Sequence, residues 1–274
     1  MDLASDDRVR SVLAAHGALS AVEHLEEVGS TNDVALRRVR EGAPPGLVVV
    51  ADRQTAGRGR RGRRWIDHLD GPDGPANLAV TVGLAVTGTR LGRVPLAAGL
   101  AVRAAVRRQG VEAVLKWPND VLVVAAGADP GGEAKLAGIL CEHHTVAGRA
   151  VVLVGCGVNL DWRGIERDAV SAGWTSLAEQ RGGPVDRGQV LADLLDRLAV
   201  EVARAVEGSR AHRDAYDAAC ITLGRDVRVE RRGAAAVVGR AVAVDADGRL
   251  VVRTAGGDLP VAAGDTVHLR RHEQ

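Results

Sequence analysis

Five arginines and three glycines fill the segment from Gly57 to Trp65, which we call the arginine loop. Arginine forks match the geometry of phosphates and carboxylates, and glycine lets a backbone approach a ligand closely. The pattern favours a site for an anionic ligand that orders the loop. Its composition fits a solvated basic turn or an RNA-binding Arg/Gly segment equally well.

A second polar segment, Lys116-Trp117-Pro118-Asn119-Asp120, follows further along the chain. Proline restricts the residue before it to an extended conformation, which can turn Lys116, Asn119 and Asp120 towards one cavity. Asparagine and aspartate oxygens suit phosphate-bound Mg²⁺. The alternative is an ordinary turn that enters a strand.

Lys135 begins an otherwise apolar stretch that continues through Leu140. A lysine in this position either extends its ammonium to solvent or points it into a pocket that requires the charge. Gly138, three residues later, would let a ligand pass close to the strand.

The motif Gly155-Cys156-Gly157-Val158-Asn159 ends a strongly apolar segment. It resembles part of a dinucleotide fingerprint but lacks the third glycine, so we reject that interpretation. The sequence also lacks the H-E-x-x-H, G-x-S-x-G and G-x-x-x-x-G-K-[ST] patterns. Zinc proteases, hydrolases of that type and phosphate-loop enzymes are therefore disfavoured.

These segments must be positioned by an α+β domain. Ser30 and Asp33 resemble a capping box that opens a helix, and 55–76 is predicted to be a long loop. The other predicted helices cover 6–16, 94–109 and 188–206. The strands of the first domain are predicted at 47–51, 77–86, 114–116, 120–124, 135–142 and 149–159. Short strands at 226–231, 236–245, 249–254, 258–263 and 266–269 predict a small β barrel.

Composition limits the functional classes. The 274 residues carry 36 basic and 35 acidic side chains, a net charge of +1 that disfavours a bulk nucleic-acid binder. Three cysteines without a C-x-x-C pair make a structural zinc site improbable. No secretory signal is present, and the longest notable apolar run, Val151 to Leu160, is too short for a membrane span, so we expect a cytoplasmic protein.

The order and spacing of these segments resemble the biotin protein ligase family. The resemblance covers 25–177 and extends more weakly to the β module, which is similar to the family's SH3-like C-terminal domain. It is carried by Ser30-Thr31-Asn32, the arginine loop with Gln54 and Trp65, Lys116-Trp117-Pro118-Asn119-Asp120, Lys135-Leu136-Ala137-Gly138-Ile139-Leu140 and Gly155-x-Gly157-x-Asn159.

The resemblance implies a fold and a domain division. The fold would be a mixed, largely antiparallel sheet backed by helices, like that of class II synthetases, with an SH3-like β barrel. The catalytic domain would comprise residues 1–221 and the C-terminal domain residues 222–274.

The resemblance also implies roles for individual residues. Lys135, Arg58 and Arg60 would be catalytic, and Asp120 would be a Mg²⁺ ligand. Trp65 would help to close the loop. The residues implied to contact biotin, the adenylate or the nucleotide phosphates are Ser30, Thr31, Asn32, Gln54, Gly57, Arg58, Arg60, Trp65, Lys116, Asn119, Asp120, Lys135, Gly138, Gly157 and Asn159.

The implied reaction joins biotin, through biotinyl-AMP made from ATP with Mg²⁺, to a lysine of a biotin carboxyl carrier domain. No DNA or membrane partner is expected, and the chain would act as a monomer or a homodimer. Two features depart from the family pattern. Residues 125–134 resemble an insertion in a hairpin, and the 29 residues before Ser30 are too few for the winged helix of bifunctional members.

Two alternatives stay open. A lipoate or other acyl-adenylate ligase has the same fold, although Arg58-Gly59-Arg60-Arg61-Gly62-Arg63 has the form of the biotin branch. A non-enzymatic RNA-binding module would use the arginine loop and the β barrel. The balanced charge and the 2% aromatic content count against RNA binding.

Overall fold

The computed structural model describes residues 2–67, 69–86, 90–124, 132–166 and 173–269. Its helices are α1 (Asp7–Ala15), α2 (Thr31–Arg40), α3 (Val94–Arg108), α4 (Leu177–Arg181), α5 (Arg187–Glu207) and α6 (Arg210–Ala219). The strands are β1 (Ala21–Val28), β2 (Leu47–Gln54), β3 (Asp70–Gly71), β4 (Gly74–Pro75), β5 (Asn77–Ala85), β6 (Val114–Lys116), β7 (Asp120–Val124), β8 (Glu133–Val146), β9 (Arg149–Asn159), β10 (Asp226–Arg231), β11 (Ala234–Val244), β12 (Leu250–Thr254), β13 (Gly257–Val261) and β14 (Asp265–His268).

The large sheet has the strand order β1-β2-β5-β9-β8-β7-β6. Strands β1 and β2 are parallel and every other neighbouring pair is antiparallel, which confirms the predicted mixed, largely antiparallel sheet. Strand β1 was not predicted. It lies at the edge of the sheet, and its partly exposed, charge-rich sequence lacks an apolar run that would mark a strand.

The two faces of this sheet have different sequences because side chains alternate along a strand. On β9, Val152, Val154 and Val158 join the main core, which α3 and α5 cover. The alternate residues Val151 and Leu153 pack against α2 in a smaller core. Further along the same face the side chains are lost at Gly155 and Gly157, and a hollow opens there.

Two helices, α5 and α2, lie where they were predicted, but one predicted helix cap is wrong. The predicted helix at 188–206 is α5, capped by the Asp186 side chain and ended by the left-handed Gly208. Helix α2 begins at Thr31, as predicted, but the capping box is wrong because the Ser30 side chain makes no cap hydrogen bond. The carboxylate of Asp33 pairs with Arg58 at 2.6 Å.

The second sheet has the strand order β13-β12-β11-β10-β14, so all five predicted strands are present. Its end strands β13 and β14 do not pair with each other in the described residues, and the predicted barrel is therefore an open sheet. Trp117 connects the first domain to the second sheet, because its Nε1 donates to Gly248 O at 3.0 Å. The domain boundary at 221/222 stays a prediction.

The proposed insertion at 125–134 lies mostly outside the described residues. Among the helices that the structure describes, we find none with the length and apolar character needed to cross a bilayer.

Candidate functional site

A cavity of about 410 Å³ lies over the glycine-bearing face of the large sheet. Gly138 on β8 is paired directly with Gly157 on β9, and these two residues form what we call the cavity floor. A Cβ atom on Gly157 would lie 2.5 Å from the Trp65 ring, and one on Gly138 would lie 3.0 Å from it. The floor therefore needs glycine so that the indole can rest on the strands.

Lys135 lines this cavity from the start of β8. Its Nζ lies 2.7 Å from Asp120 Oδ1, and its side chain is only 19% exposed. The same ammonium is 5.6 Å from the ring centroid of Trp65 and 5.0 Å from that of Trp174, within the range of cation–π attraction. Of the two expectations for Lys135, the structure therefore has the ammonium in the pocket.

The main chain around Lys135 is held by buried polar groups. Asn159 Nδ2 donates to Lys135 O at 3.2 Å and to Thr175 O at 2.9 Å. Lys135 N donates to Gly173 O at 2.7 Å. Asn159 is fully buried and does not line the cavity, so it fixes the lysine-bearing strand from beneath.

Four arginines of the arginine loop line the cavity: Arg58, Arg60, Arg63 and Arg64. Arg58 donates to Asp33 at 2.6 Å and to Glu142 at 3.4 Å, and the bond to Asp33 is the main cause of its raised pKa. Arg60 donates to Asn119 Oδ1 at 3.1 Å, and burial lowers the pKa of its guanidinium. Positive charge thus enters the site from the loop as well as from the sheet.

The arginine loop also contacts the second sheet. Arg61 lies 3.2 Å and Arg63 2.8 Å from the carboxylate of Asp265, and Arg60 donates to Gly264 O at 3.3 Å. Arg61 additionally donates to Glu230 O. The position of the loop over the cavity therefore depends on the C-terminal domain.

Polar side chains form one wall of the cavity. Gln54 Oε1 accepts from Thr31 N at 2.8 Å, and Asn32 Nδ2 donates to Glu142 Oε2 at 2.6 Å. Gly155 lies beneath Asn32, where a Cβ atom would be 2.4 Å from Asn32 Oδ1. Ser30 lines the same wall. The wall offers both donors and acceptors to a polar ligand.

The structure brings most of the predicted site residues to this cavity, and four of them do not line it. Asn159 supports the lysine strand, and Gly57 closes the base of the arginine loop by accepting from Trp65 N at 2.9 Å. Lys116 and Asp120 are paired across β6 and β7, in one row with the cavity floor because Asp120 is also paired with Gly138. This row of paired residues runs from the cavity floor to β6, the end strand of the large sheet.

Sequence reasoning missed Trp174 and Glu142, and it quoted Gly155 in a motif without giving it a role in the site. Trp174 lines the cavity and lies 4.9 Å from Trp65 between ring centroids. Its signal was the aromatic scarcity of a chain with four tryptophans and no phenylalanine. A second unused signal was that Lys116 and Lys135 are the only lysines among 36 basic Lys and Arg residues. Lys116 and Lys135 carry a compact ammonium in a chain whose other Lys and Arg residues are all arginine.

A protein-only metal site is absent from the described residues, which contain no group of three or more His, Cys, Asp or Glu that could hold an ion. Asp120 Oδ1 contacts Lys135, and Asn119 Oδ1 accepts from Arg60. One carboxylate beside a cationic cavity matches the way Mg²⁺ is held when phosphates and waters supply its other ligands. The residues therefore fit a phosphate-bound ion.

Two protein-family models match this chain, one in each of its two parts. Residues 25–159 match the model of the Biotin/lipoate A/B protein ligase family, and residues 222–269 match that of the Biotin protein ligase C terminal domain.

Individual relatives agree over most of the chain. A biotin–[acetyl-CoA-carboxylase] ligase of Mycobacterium tuberculosis (strain ATCC 25618 / H37Rv) is 36% identical over 89% of this chain and 87% of its own length. One from Paracoccus denitrificans is 32% identical over 88% and 98%. The solved Biotin protein ligase from Aquifex aeolicus in complex with biotin and ATP superposes with a TM-score of 0.72 at 27% identity, covering 91% of this chain and 98% of that one. The chain belongs to the biotin protein ligase family.

Proposed function

We propose that this chain activates biotin with ATP to biotinyl-5′-AMP and joins the biotinyl group to a lysine of an acceptor protein. One observation carries the proposal: Lys135, Arg58 and Arg60 approach one cavity, whose floor carries no side chains. The names of the relatives indicate an acceptor in acetyl-CoA carboxylase, so we infer a biotin carboxyl carrier domain.

The first step must bring two anions together. A carboxylate oxygen of biotin attacks the α-phosphorus of ATP, the bond to the bridging oxygen breaks, and pyrophosphate leaves with the electron pair. Lys135 and the two arginines offset the repulsion and stabilise the charge that accumulates on the phosphate oxygens. Fixed charges in a site with little water can contribute several kcal/mol to such a step.

Mg²⁺ would arrive with the nucleotide. Asp120 and Asn119 would supply oxygen ligands to the ion, which would add positive charge beside the phosphates. Lys135 would then be shared between Asp120 and the phosphates, because a lysine ammonium has three donors.

The second step requires protection of the mixed anhydride until the acceptor arrives. The acceptor amine attacks the carbonyl carbon of biotin, AMP leaves, the amine loses a proton and an amide forms. Water competes for the same carbon. Trp65 on the cavity floor and Arg58 beside it support a shielding role for the arginine loop during this interval.

The direct test mixes the purified chain with labelled biotin, Mg-ATP and a biotin carboxyl carrier domain. We expect one covalent label per carrier, dependent on ATP. A carrier whose acceptor lysine is changed to arginine is the matched control and should stay unlabelled.

Lipoate competition separates the two enzymatic alternatives. An excess of unlabelled biotin should abolish labelling, and the same excess of lipoate should leave it unchanged. Labelling with lipoate in place of biotin, or none with either acid under conditions where a known ligase works, would contradict the proposal.

A further inference from the structure

Gln54, at the end of β2, lies between the cavity and a buried carboxylate. Its side chain lines the cavity, and only 7% of the residue is exposed. Oε1 accepts from Thr31 N at 2.8 Å and lies 3.2 Å from Thr31 Oγ1. On the opposite side, Nε2 donates to Asp67 Oδ2 at 2.7 Å.

These partners define the orientation of the Gln54 amide. A backbone N–H can only donate, so the amide oxygen must face Thr31. The carboxylate of Asp67 accepts one of the two Nε2 hydrogens and favours the same orientation. One amide hydrogen of Gln54 then remains for a ligand in the cavity. A flipped amide would put an oxygen against the Asp67 carboxylate and a nitrogen against the Thr31 N–H.

Asp67 is not an ordinary surface aspartate. It is only 2% exposed. Burial raises the pKa of its carboxyl to about 7, opposed by hydrogen bonds from Gln54 and Asn77 and by the charge of Arg187. An apolar residue could fill this space without the cost of removing a carboxyl from water. The hydrogen bonds to Gln54 and Asn77 are contacts that an apolar residue would not supply, and the one to Gln54 reaches a residue that lines the cavity.

The contact continues into the polar wall of the cavity. Thr81 Oγ1 lies 2.8 Å from Thr31 Oγ1 and 2.6 Å from Asn32 Oδ1, and Asn32 Nδ2 donates to Glu142. Asp67 and Glu142 are thus acceptors at the two ends of one chain of polar groups. A change at Asp67 is transmitted first to Gln54, the member of this chain in direct contact with it.

We propose that Asp67 is a positioning residue for biotin binding, which holds the Gln54 amide so that its second Nε2 hydrogen meets the acid substrate. The inference rests on the proposed function. Asp67 itself does not line the cavity, so it acts through Gln54.

The test measures the KM of biotin and the KM of ATP by pyrophosphate exchange. Asp67→Leu should raise the KM of biotin about tenfold, the effect of one lost hydrogen bond to a well-placed group, with the KM of ATP unchanged. Asp67→Asn keeps an acceptor oxygen and should restore the KM of biotin to within about threefold of the unaltered chain. Asp67→Ala carries the same expectation as Asp67→Leu, so the test does not depend on one variant folding.

A double substitution shows whether Asp67 acts through Gln54. In a Gln54→Ala background, Asp67→Leu should change the KM of biotin less than about twofold, because the contact is already gone. The matched control is Asp70→Asn, at an exposed ion pair with Arg53, which should leave both KM values unchanged.

Two results would overturn the inference. One is an Asp67→Leu variant with an unchanged KM of biotin, and the other is an equal rise in both backgrounds, which would mean a structural role. Failure of the proposed function is distinguishable, because then the unaltered chain itself would show no biotin-dependent exchange.

Discussion

The cavity floor and the arginine loop above it are built in opposite ways. Gly138 and Gly157 pair with each other and with a further strand on the other side, so the backbone ladder fixes them. The arginine loop is positioned by side chains, with Arg58 on Asp33 and with Arg61 and Arg63 on Asp265. The floor is rigid by construction, whereas the loop rests on contacts that a ligand, salt or a neighbouring domain can replace.

This difference suggests a division of labour. Lys135 comes from a strand and belongs to the rigid part, which suits a group that must meet a reacting phosphate at a fixed place. Arg58 comes from the loop, which suits a group that must admit substrates and then cover the adenylate. The following predictions test that division, from the largest expected effect to the smallest.

Removing the charge of the rigid part should have the largest effect. We expect Lys135→Ala to lower biotin-dependent pyrophosphate exchange by about a thousandfold or more, because about 4 kcal/mol of charge stabilisation is lost. Thermal unfolding should show that the fold is intact. Near-normal exchange in this variant would remove Lys135 from the chemistry.

The free energy of unfolding should depend on pH through the buried carboxyl of Asp67. The carboxyl of Asp67 has a pKa of about 7 in the folded chain, above its ordinary value of 3.8. Between these values the folded state holds a proton that the unfolded state has released, so the free energy of unfolding falls as pH rises. Asp67→Asn should remove a fall on the order of 3–4 kcal/mol between about pH 4 and pH 7, measured by urea denaturation. A variant and an unaltered chain with the same pH dependence would contradict the raised pKa.

Opening the loop should affect retention more than formation of the adenylate. We expect Arg58→Gly to release about tenfold more free biotinyl-AMP, with a loss of pyrophosphate exchange far smaller than that of Lys135→Ala because Lys135 and Arg60 remain in the site. Labelling of an added lysine-rich protein measures the release, because this chain has only two lysines of its own. Arg228→Gly, at an exposed pair with Glu230 on the second sheet, is the control. Unchanged retention after Arg58→Gly would disprove the shielding role.

Loosening the loop from the C-terminal domain should have the smallest effect. Asp265 contacts Arg61 and Arg63 at a partly exposed site, where ion pairs contribute about 1 kcal/mol or less. Asp265→Asn should therefore raise adenylate release by about threefold, and the difference should shrink at high salt. A loop that depends only on the first domain would show no change at any ionic strength.

The sequence predicted the floor better than the loop for a physical reason. Strands β8 and β9 carry apolar runs that can be recognised locally, so their places and the positions of Gly138 and Gly157 followed from short segments. The contact of Arg61 with Asp265 joins residues 204 positions apart, and no local pattern encodes it.

The sequence also did not reveal which polar side chains are buried. Asp67 stands in a segment of glycines, prolines and aspartates that reads as a solvated loop, yet it lies behind Gln54 in the folded chain. Asn159 was expected at the cavity and instead supports Lys135 from beneath, because a strand end does not reveal which face its last side chain takes. Helix α6 was not predicted, because it is partly exposed and its three buried residues are too few to give a recognisable helical pattern.

The most direct test of the account is the exchange of labelled pyrophosphate into ATP by the unaltered chain, with biotin, with lipoate and with neither acid. Activation of biotin at the cationic cavity predicts rapid exchange with biotin and only background exchange in the other two reactions. Exchange that is independent of biotin, or that lipoate supports and biotin does not, would contradict it.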